Sequence, residues 1–380
     1  MTERFDVAIV GAGIVGLSQA REAVRRGLRV VVIERHSRAQ GASIRNFGMI
    51  WPIGQPAGVL HRVGLRSRDI WLDVCREAGL WHEHSGSLHL VTRTDELAVL
   101  REFAERAPAM GYEVDLWDTE AVTRRSPIAR PDAVIGGLFS GAEMCVDSPR
   151  AMAGIAAWLS DTCGVEFRWS EPVIRIAPPA VHTARSVVEA DRIIVCSGSD
   201  FEQLYPESFA GRGITRCKLQ MLAAEPPPRG ARIGPMIASG LSLRHYANFA
   251  QCPSLPALRD RIAREQPELD RFGVHVMASQ HSGGEIILGD SHVYDDEMTP
   301  FDSGTIEELM LEELRRIVEL PSWRITRRWN GTYAKWPGRA VLCLDPEPGV
   351  RIVNAAGGTG MTMSFGIAER MWENWNDFDL

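Results

Sequence analysis

Three glycines, Gly11-x-Gly13-x-x-Gly16, stand between an apolar run, Val7-Ala8-Ile9-Val10, and an amphipathic segment that ends near Gly27. A second apolar run, Val30-Val31-Val32-Ile33, ends in Glu34. Strand, glycine turn, helix and strand closing on an acid is the order of a dinucleotide-binding βαβ unit. Gly11 permits the tight turn, Gly13 lets backbone N–H groups approach a pyrophosphate, and Gly16 lets the helix pack on its strand. The helix N-terminus around Ala12, Ile14 and Val15 supplies the partial positive charge that phosphates require. Glu34 is placed to accept from ribose hydroxyls and would repel a 2′-phosphate, so FAD or NAD fits and NADP does not.

A chain of 380 residues suffices for two closely connected domains with a large core. The formal net charge of −7 offers no footprint for nucleic acid or an anionic membrane. Of the 42 basic residues only Lys218 and Lys335 are lysines, the mark of a G+C-rich coding sequence. No apolar stretch is long enough to span a bilayer, and the first strand begins too early for a signal peptide. The seven cysteines are dispersed and lack CxxC spacing, so they read as reduced thiols of a cytoplasmic protein.

Along the chain the α/β rhythm breaks and returns. A Gly/Ala/Arg loop runs from Gly41 to Gly58 and leads into a helix to about Ala78. Short strands such as Leu88–Thr92 and helical segments from Thr94 occupy the next stretch. From Asp147 the rhythm resumes with a helix to about Cys163, strands at Val165–Trp169 and Val173–Ile176, and a strand Arg192–Cys196 ending at Gly198. Residues 212–300 are rich in strands and hairpin turns, with a helix near Ala257–Glu265. Val350–Asn354 then runs into Ala355-Ala356-Gly357-Gly358-Thr359-Gly360 and a terminal helix. The expected fold is α/β: a Rossmann-type nucleotide-binding domain in three segments (1–80, 145–205 and 325–380) with an inserted α+β substrate domain (81–144 and 206–324).

The ordered motifs resemble the FAD-dependent amine oxidases of the D-amino-acid oxidase, glycine oxidase and monomeric sarcosine oxidase group. The resemblance covers nearly the whole chain. Gly11 to Gly16 with Glu34-Arg35 resembles its ADP-binding start, and the loop holding Ala42, Ser43, Arg45, Asn46, Gly48 and Met49 sits where the family's second loop lies along the flavin. Val173 falls where a backbone meets adenine, and Ile194 to Gly198, with Ser197, resembles the "VVxAxG" strand end. Lys218-Leu219-Gln220 resembles the RGQ strand, and Gly284 to Gly289 the late hairpin. Gly357 to Phe365, with Gly358, Thr359, Gly360, Met361 and Thr362, resembles the turn and helix aimed at the flavin pyrimidine, where a helix N-terminus stabilises negative charge on a reduced ring.

Departures from the family pattern matter equally. Gly331 stands where sarcosine oxidases carry the cysteine that bonds the flavin, which implies non-covalent FAD. In the turn expected at Gly331-Thr332-Tyr333-Ala334, Tyr333 takes the place of the arginine that grips an α-carboxylate, and Lys335 lies two residues on. Thr362 replaces a sarcosine-type lysine, and Ile287 the lysine that helps oxygen react. The implied substrate is a small amine with a distal anion, oxidised at the expense of O2 or another electron acceptor, with His292, Tyr333, Lys335 and Arg45 as the catalytic candidates. Arg45 is equally placed to serve the FAD phosphates. Arg244, His245 and His275 are further candidates, each with an ordinary structural role as its alternative, and His82-x-His84 has no further ligand cluster around it, so no metal is expected. The loop Ser43 to Pro56 also resembles a subgroup linked to aminoalkylphosphonate breakdown. Three alternatives remain open: a glycine or D-amino-acid oxidase; a flavin dehydrogenase of a 2-hydroxy acid, which needs a histidine base and an arginine for the carboxylate; and a non-catalytic FAD-bearing subunit that requires a partner. Oligomeric state is not legible.

Overall fold

The computed structural model describes residues 3–355 and 357–380, so Ala356 of the late glycine motif lies outside the described residues. Five parallel strands form the first sheet's spine, in the order Glu166–Trp169, Val30–Glu34, Glu3–Val10, Val187–Val195, Val350–Ala355. The central strands are almost wholly apolar because helices cover one face and further chain covers the other. An antiparallel edge strand, Val341–Glu347, and the hairpin Val173–Ala177/Ala180–Thr183 complete this sheet. Helices Ile14–Arg25, Val59–Glu77, Ser148–Asp161 and Gly360–Glu373 pack together with one apolar cluster on the glycine-loop side.

The expected βαβ unit is present. Val7↔Val30 to Val10↔Ile33 pair in parallel, and the helix between them begins at Ile14. Gly11 has φ +106, and a Cβ there would lie 2.4 Å from the Cys196 carbonyl oxygen. A Cβ on Gly16 would come within 1.9 Å of the Gly11 carbonyl oxygen. Both positions therefore require glycine on steric grounds.

A second, nine-stranded sheet runs Val293–Asp295, Thr215–Ala224, Ile286–Gly289, Met277–Gln280, Met236–Ser239, Ser87–Val91, Gly136–Ser140, Val114–Trp117, with Ile325–Lys335 joined to Thr215–Ala224. Helices Thr94–Met110, Leu255–Glu265 and Gly304–Ile317 share its apolar core. The molecule is thus a Rossmann-type α/β unit joined to an α+β unit, as the sequence implies.

The ladders refine that reading in two places. Gly331 to Ala334 is no turn: it lies inside the strand Ile325–Lys335, paired antiparallel from Thr215↔Lys335 to Ala224↔Ile325. The strand continues because an unbroken partner satisfies its backbone groups and its side chains alternate about the pleat. By the same ladder residues 325–335 belong with the second sheet, so we propose that the third nucleotide-domain segment begins after Lys335 rather than at 325.

Candidate functional site

A cavity of about 490 Å³ runs between the two units, from the glycine loop to the face of the second sheet. Its first part lies past the carboxyl ends of the parallel strands, where open α/β sheets bind ligands. Gly11, Gly13, Ile14, Val15, Gly16, Glu34, Arg35, Ala42, Ser43, Val173, Ser197 and Gly198 line it. Two expected residues do not. Ala12 is 1% exposed, and its N–H donates to Glu34 Oε2 at 2.9 Å, an internal brace rather than a wall. Gly48, at φ +75, lets the loop pass a neighbouring strand: its N–H donates to Asn46 Oδ1 at 2.8 Å, and its carbonyl accepts from Val146 N at 2.9 Å.

Glu34 also accepts from the His36 N–H at 3.0 Å, so both carboxylate oxygens are oriented at the end of their strand. Gly13 caps the first helix with no side chain of its own; the Ser43 hydroxyl reaches over instead, accepting from the Ile14 N–H at 3.0 Å, and a Cβ on Gly13 would meet that hydroxyl at 3.1 Å. A helix N-terminus bordered by glycines and an oriented acid fit the adenosine and pyrophosphate half of a dinucleotide.

The second part of the cavity is bounded by Arg45, Asn46, Met49, Gly331, Tyr333, Gly358, Thr359, Gly360, Met361 and Thr362. The helix Gly360–Glu373 points its N-terminus here and is tied to the loop in front of it. The Trp51 N–H donates to Thr362 Oγ1 at 2.8 Å, and Trp71 Nε1 donates to the Met361 carbonyl at 2.7 Å. Buried Thr359 Oγ1 and Trp51 Nε1 have no protein partner. Unpaired polar atoms around a helix N-terminus fit the polar edge of a flavin ring.

Of the four catalytic candidates, three reach this space. Tyr333 stands over the glycine turn, where a Cβ on Gly358 would lie 3.2 Å from its hydroxyl oxygen, and burial holds that hydroxyl protonated. Arg45 lies against Gly331, with Nη1 donating to the Asn330 carbonyl at 3.2 Å, on the side of the cavity formed by the strand Ile325–Lys335. His292 lines the wall with its ring centroid 6.4 Å from that of Tyr333. Lys335 does not line the cavity. Its ammonium lies beside Gly357, and from there its charge adds to burial in lowering His245 and His292.

The structure brings in residues the sequence reading left with structural roles or missed. His245, His275, Asp290, Tyr246 and Trp51 share the wall with His292. The three imidazoles form a triangle with ring centroids 4.0, 4.3 and 4.7 Å apart. Burial moves all three down, His292 to about 4, and pushes the Asp290 carboxyl well above the usual carboxylate range. Arg244 is turned away, its guanidinium on Asp270 at 3.3 Å and on the carbonyls of Leu241, Leu269 and Val274. His82 and His84 are exposed and far along the chain from this group. The local signal was an Asp-x-His placed just after a cavity-facing strand, which names His292 and Asp290 but cannot show what they meet.

The described residues include no helix long and apolar enough to cross a membrane. Over 98% of this chain and 96% of the other, the fold superposes on glycine oxidase from Bacillus cereus at a TM-score of 0.77 and 17% identity. L-α-glycerophosphate oxidase from Mycoplasma pneumoniae superposes over 99% and 96% at a TM-score of 0.74 and 16% identity. In sequence, the mitochondrial L-2-hydroxyglutarate dehydrogenase of Dictyostelium discoideum is 27% identical over 110 residues, 27% of this chain and 24% of that protein. The chain thus matches only about a quarter to a third of the length of its first curated relatives. A family profile described as FAD dependent oxidoreductase matches residues 6–373, through both units and every wall of the cavity, and the chain belongs to that family, with FAD as its cofactor.

Proposed function

We propose that this FAD-dependent oxidoreductase oxidises a small primary or N-methylated amine carrying a distal phosphonate, giving an imine that hydrolyses to an aldehyde and an amine or ammonia. The observation that carries the reading is the substrate wall itself. Tyr333 occupies the position facing the glycine turn, and the imidazoles of His245, His275 and His292 line the far end in place of an arginine fork. The arginines on the cavity wall are Arg35, paired with Asp200 at 2.7 Å, and Arg45 behind Gly331. An α-amino acid therefore finds no bidentate partner for its carboxylate.

FAD, when bound, supplies the two-electron acceptor, held by the glycine loop, Glu34, the Ser43–Met49 loop and the Gly358–Thr362 turn. The chain's own contribution is orientation and the choice of protonation state. A buried cavity disfavours an ammonium, and the nearby Lys335 charge adds to that, so the site selects the free amine, the form whose α C–H can transfer hydride. Tyr333, kept protonated by burial, can donate its O–H to the substrate but does not serve as a base. Trp51, Tyr246 and Met277 add apolar surface to the cavity wall, which disfavours water there. The fold shared with a glycine oxidase and a glycerophosphate oxidase is in keeping with an amine at one end and a phosphorus acid at the other.

A 2-hydroxy acid is the second reading, favoured by one observation: His275 Nε2 lies 3.5 Å from Asp290 Oδ1, the kind of pair that serves as a base in alcohol oxidation. Anaerobic bleaching of the bound flavin decides between them. Aminoalkylphosphonates and their N-methyl derivatives are expected to bleach it much faster than glycine, sarcosine, D-alanine or hydroxy acids. Equal bleaching by glycine or D-alanine removes the phosphonate, and bleaching by hydroxy acids alone removes the amine.

A further inference from the structure

The far end of the cavity holds buried polar atoms with nothing to bond. His275 is 2% exposed with neither ring nitrogen hydrogen-bonded, and Asp290, 5% exposed, has a free Oδ1. His275 Nε2 stands 3.5 Å from Asp290 Oδ1, and His292 Nε2 stands 4.0 Å from Oδ2. His292 Nδ1 faces the Gly273 carbonyl at 3.3 Å, which orients the ring and leaves Nε2 toward the cluster. His245 completes the group with its ring open to the cavity. Buried groups left in this state await a ligand or ordered water.

We propose that His245, His275 and His292 form the subsite for a phosphonate or phosphate dianion, which enters together with protons drawn from solution. The inference rests on the proposed reading only in naming that group as the substrate's distal acid.

Three imidazoles match three oxygens of a tetrahedral anion; the Tyr333 hydroxyl and the Tyr246 hydroxyl, the latter donating to Met277 Sδ at 3.3 Å, are both held protonated by burial and add no negative charge beside it. One ring nitrogen from each of His245, His275 and His292 lies within 4.8 Å of the others, close enough for all three to meet one small ligand, and the rings of His275 and His292 stack within 16° of parallel. The same spacing is open to a metal ion, so the test includes Zn²⁺. Burial keeps the imidazoles neutral, with His292 lowered to about 4. A charge about 4 Å away at an effective dielectric near 20 raises an imidazole by about three units. A dianion therefore recruits protons that a monoanionic carboxylate recruits weakly, and the cluster discriminates by charge where an arginine fork would discriminate by shape. The surrounding charges agree in sign: Lys335 and Arg244 contribute positive potential, His89 lies behind His275, and Tyr294 beside His292 is held protonated. Asp290 also faces the cluster, and burial pushes its carboxyl up toward the neutral form, which spares a dianion a negative neighbour.

The test is calorimetric titration of the FAD-loaded enzyme with methylphosphonate, inorganic phosphate and acetate. It is run in two buffers of different ionisation heat, at a pH where the phosphonate is already a dianion. We expect about one proton taken up per methylphosphonate, acetate at least tenfold weaker, and both affinity and uptake reduced tenfold or more in His245→Gln and His292→Gln at unchanged flavin content. Binding without proton uptake, binding indifferent to both substitutions, or binding that appears only when Zn²⁺ is added overturns the proposal, the last assigning the cluster to a metal. Preference for phosphate and glycerol phosphate over phosphonates names the ester as the source. Uptake and binding intact while no aminoalkylphosphonate bleaches the flavin leaves the subsite standing and removes the amine reading. Amine turnover intact with no methylphosphonate binding does the reverse.

Discussion

Gly13 and Gly16 belong to one motif but answer to different forces, and alanine at each separates them. A Cβ on Gly16 would sit 1.9 Å from the Gly11 carbonyl oxygen and 3.3 Å from Ile9 Cγ2. The first contact is with backbone, so relief requires the helix Ile14–Arg25 to lift from its strand by more than about 1 Å, loosening Ile14, Leu17, Ala20 and Ala23. Overpacking of this kind costs about 3 kcal/mol or more, at or beyond the upper end of the usual range. For a chain of this length that is a fall in Tm of roughly 4 °C or more. Gly13 has φ −74, which alanine adopts freely, and its Cβ would meet only the Ser43 hydroxyl, at 3.1 Å, which must shift by a few tenths of an ångström while it accepts from the Ile14 N–H at 3.0 Å. Gly13→Ala should therefore leave the apoprotein within about 1 kcal/mol of wild type. The same methyl stands over the helix N-terminus, and losing one charge-assisted hydrogen bond to pyrophosphate, about 1.5–3 kcal/mol, weakens FAD roughly ten- to hundredfold. Thermal melts of apoprotein and quenching of FAD fluorescence measure the two quantities independently. If Gly13→Ala apoprotein melts as low as Gly16→Ala, or binds FAD as tightly as wild type, the division of labour argued here is wrong.

Acid precipitation should release the flavin into the supernatant, since Gly331 offers it no nucleophile; flavin retained in the pellet would contradict this. Tyr333→Arg should raise kcat/KM for glycine or D-alanine about tenfold or more by supplying a fork for the carboxylate, while turnover of phosphonate amines falls; unchanged discrimination in steady-state kinetics would refute it. Lys335→Met removes charge without touching the cavity wall, so the acid limb of the kcat/KM profile should move upward by about half to one pH unit while KM changes little; a sharp rise in KM would instead place the ammonium on the substrate. His61 is lowered to about 4 by burial and the Arg62 charge, against about 6.5 in the unfolded chain. Its neutral form stabilises the fold fully above about pH 6.5, and that contribution is lost as pH falls toward 4. Between pH 7.5 and 5.5 the loss is about 1.3 kcal/mol, which His61→Asn should remove from the urea-denaturation profile; parallel profiles for the two proteins would count against this.

Late glycines and strand periodicity led to the right elements but mistook one of them. Gly331-Thr332-Tyr333-Ala334 has the composition of a turn, and nothing local to it announces Thr215–Ala224 as a partner. Once paired, the segment alternates about a pleat, which sets Tyr333 over the flavin-side turn and carries Lys335 beyond the cavity to Gly357. A strand's partner is a long-range fact, and so is the reach of each side chain on it. Ala12 and Gly48 show the same limit at smaller scale: each sits in a correctly read motif, yet it braces the loop rather than facing the cavity.

By itself the sequence determined the cofactor half of this protein. The strand, the glycine spacing and Glu34 act within a few dozen residues, and steric demands on a turn and a helix N-terminus are written in neighbouring positions. The three-part α/β unit followed from the same short-range patterns. Only the tertiary structure decided the substrate half. His245 comes from a helical turn, His275 from the approach to one strand, and Asp290 and His292 from the exit of another, with no periodicity linking them. The neutrality of the imidazoles and the missing partners of His275 and Asp290 arise from burial, and burial is a property of the packed sheet that no single segment carries.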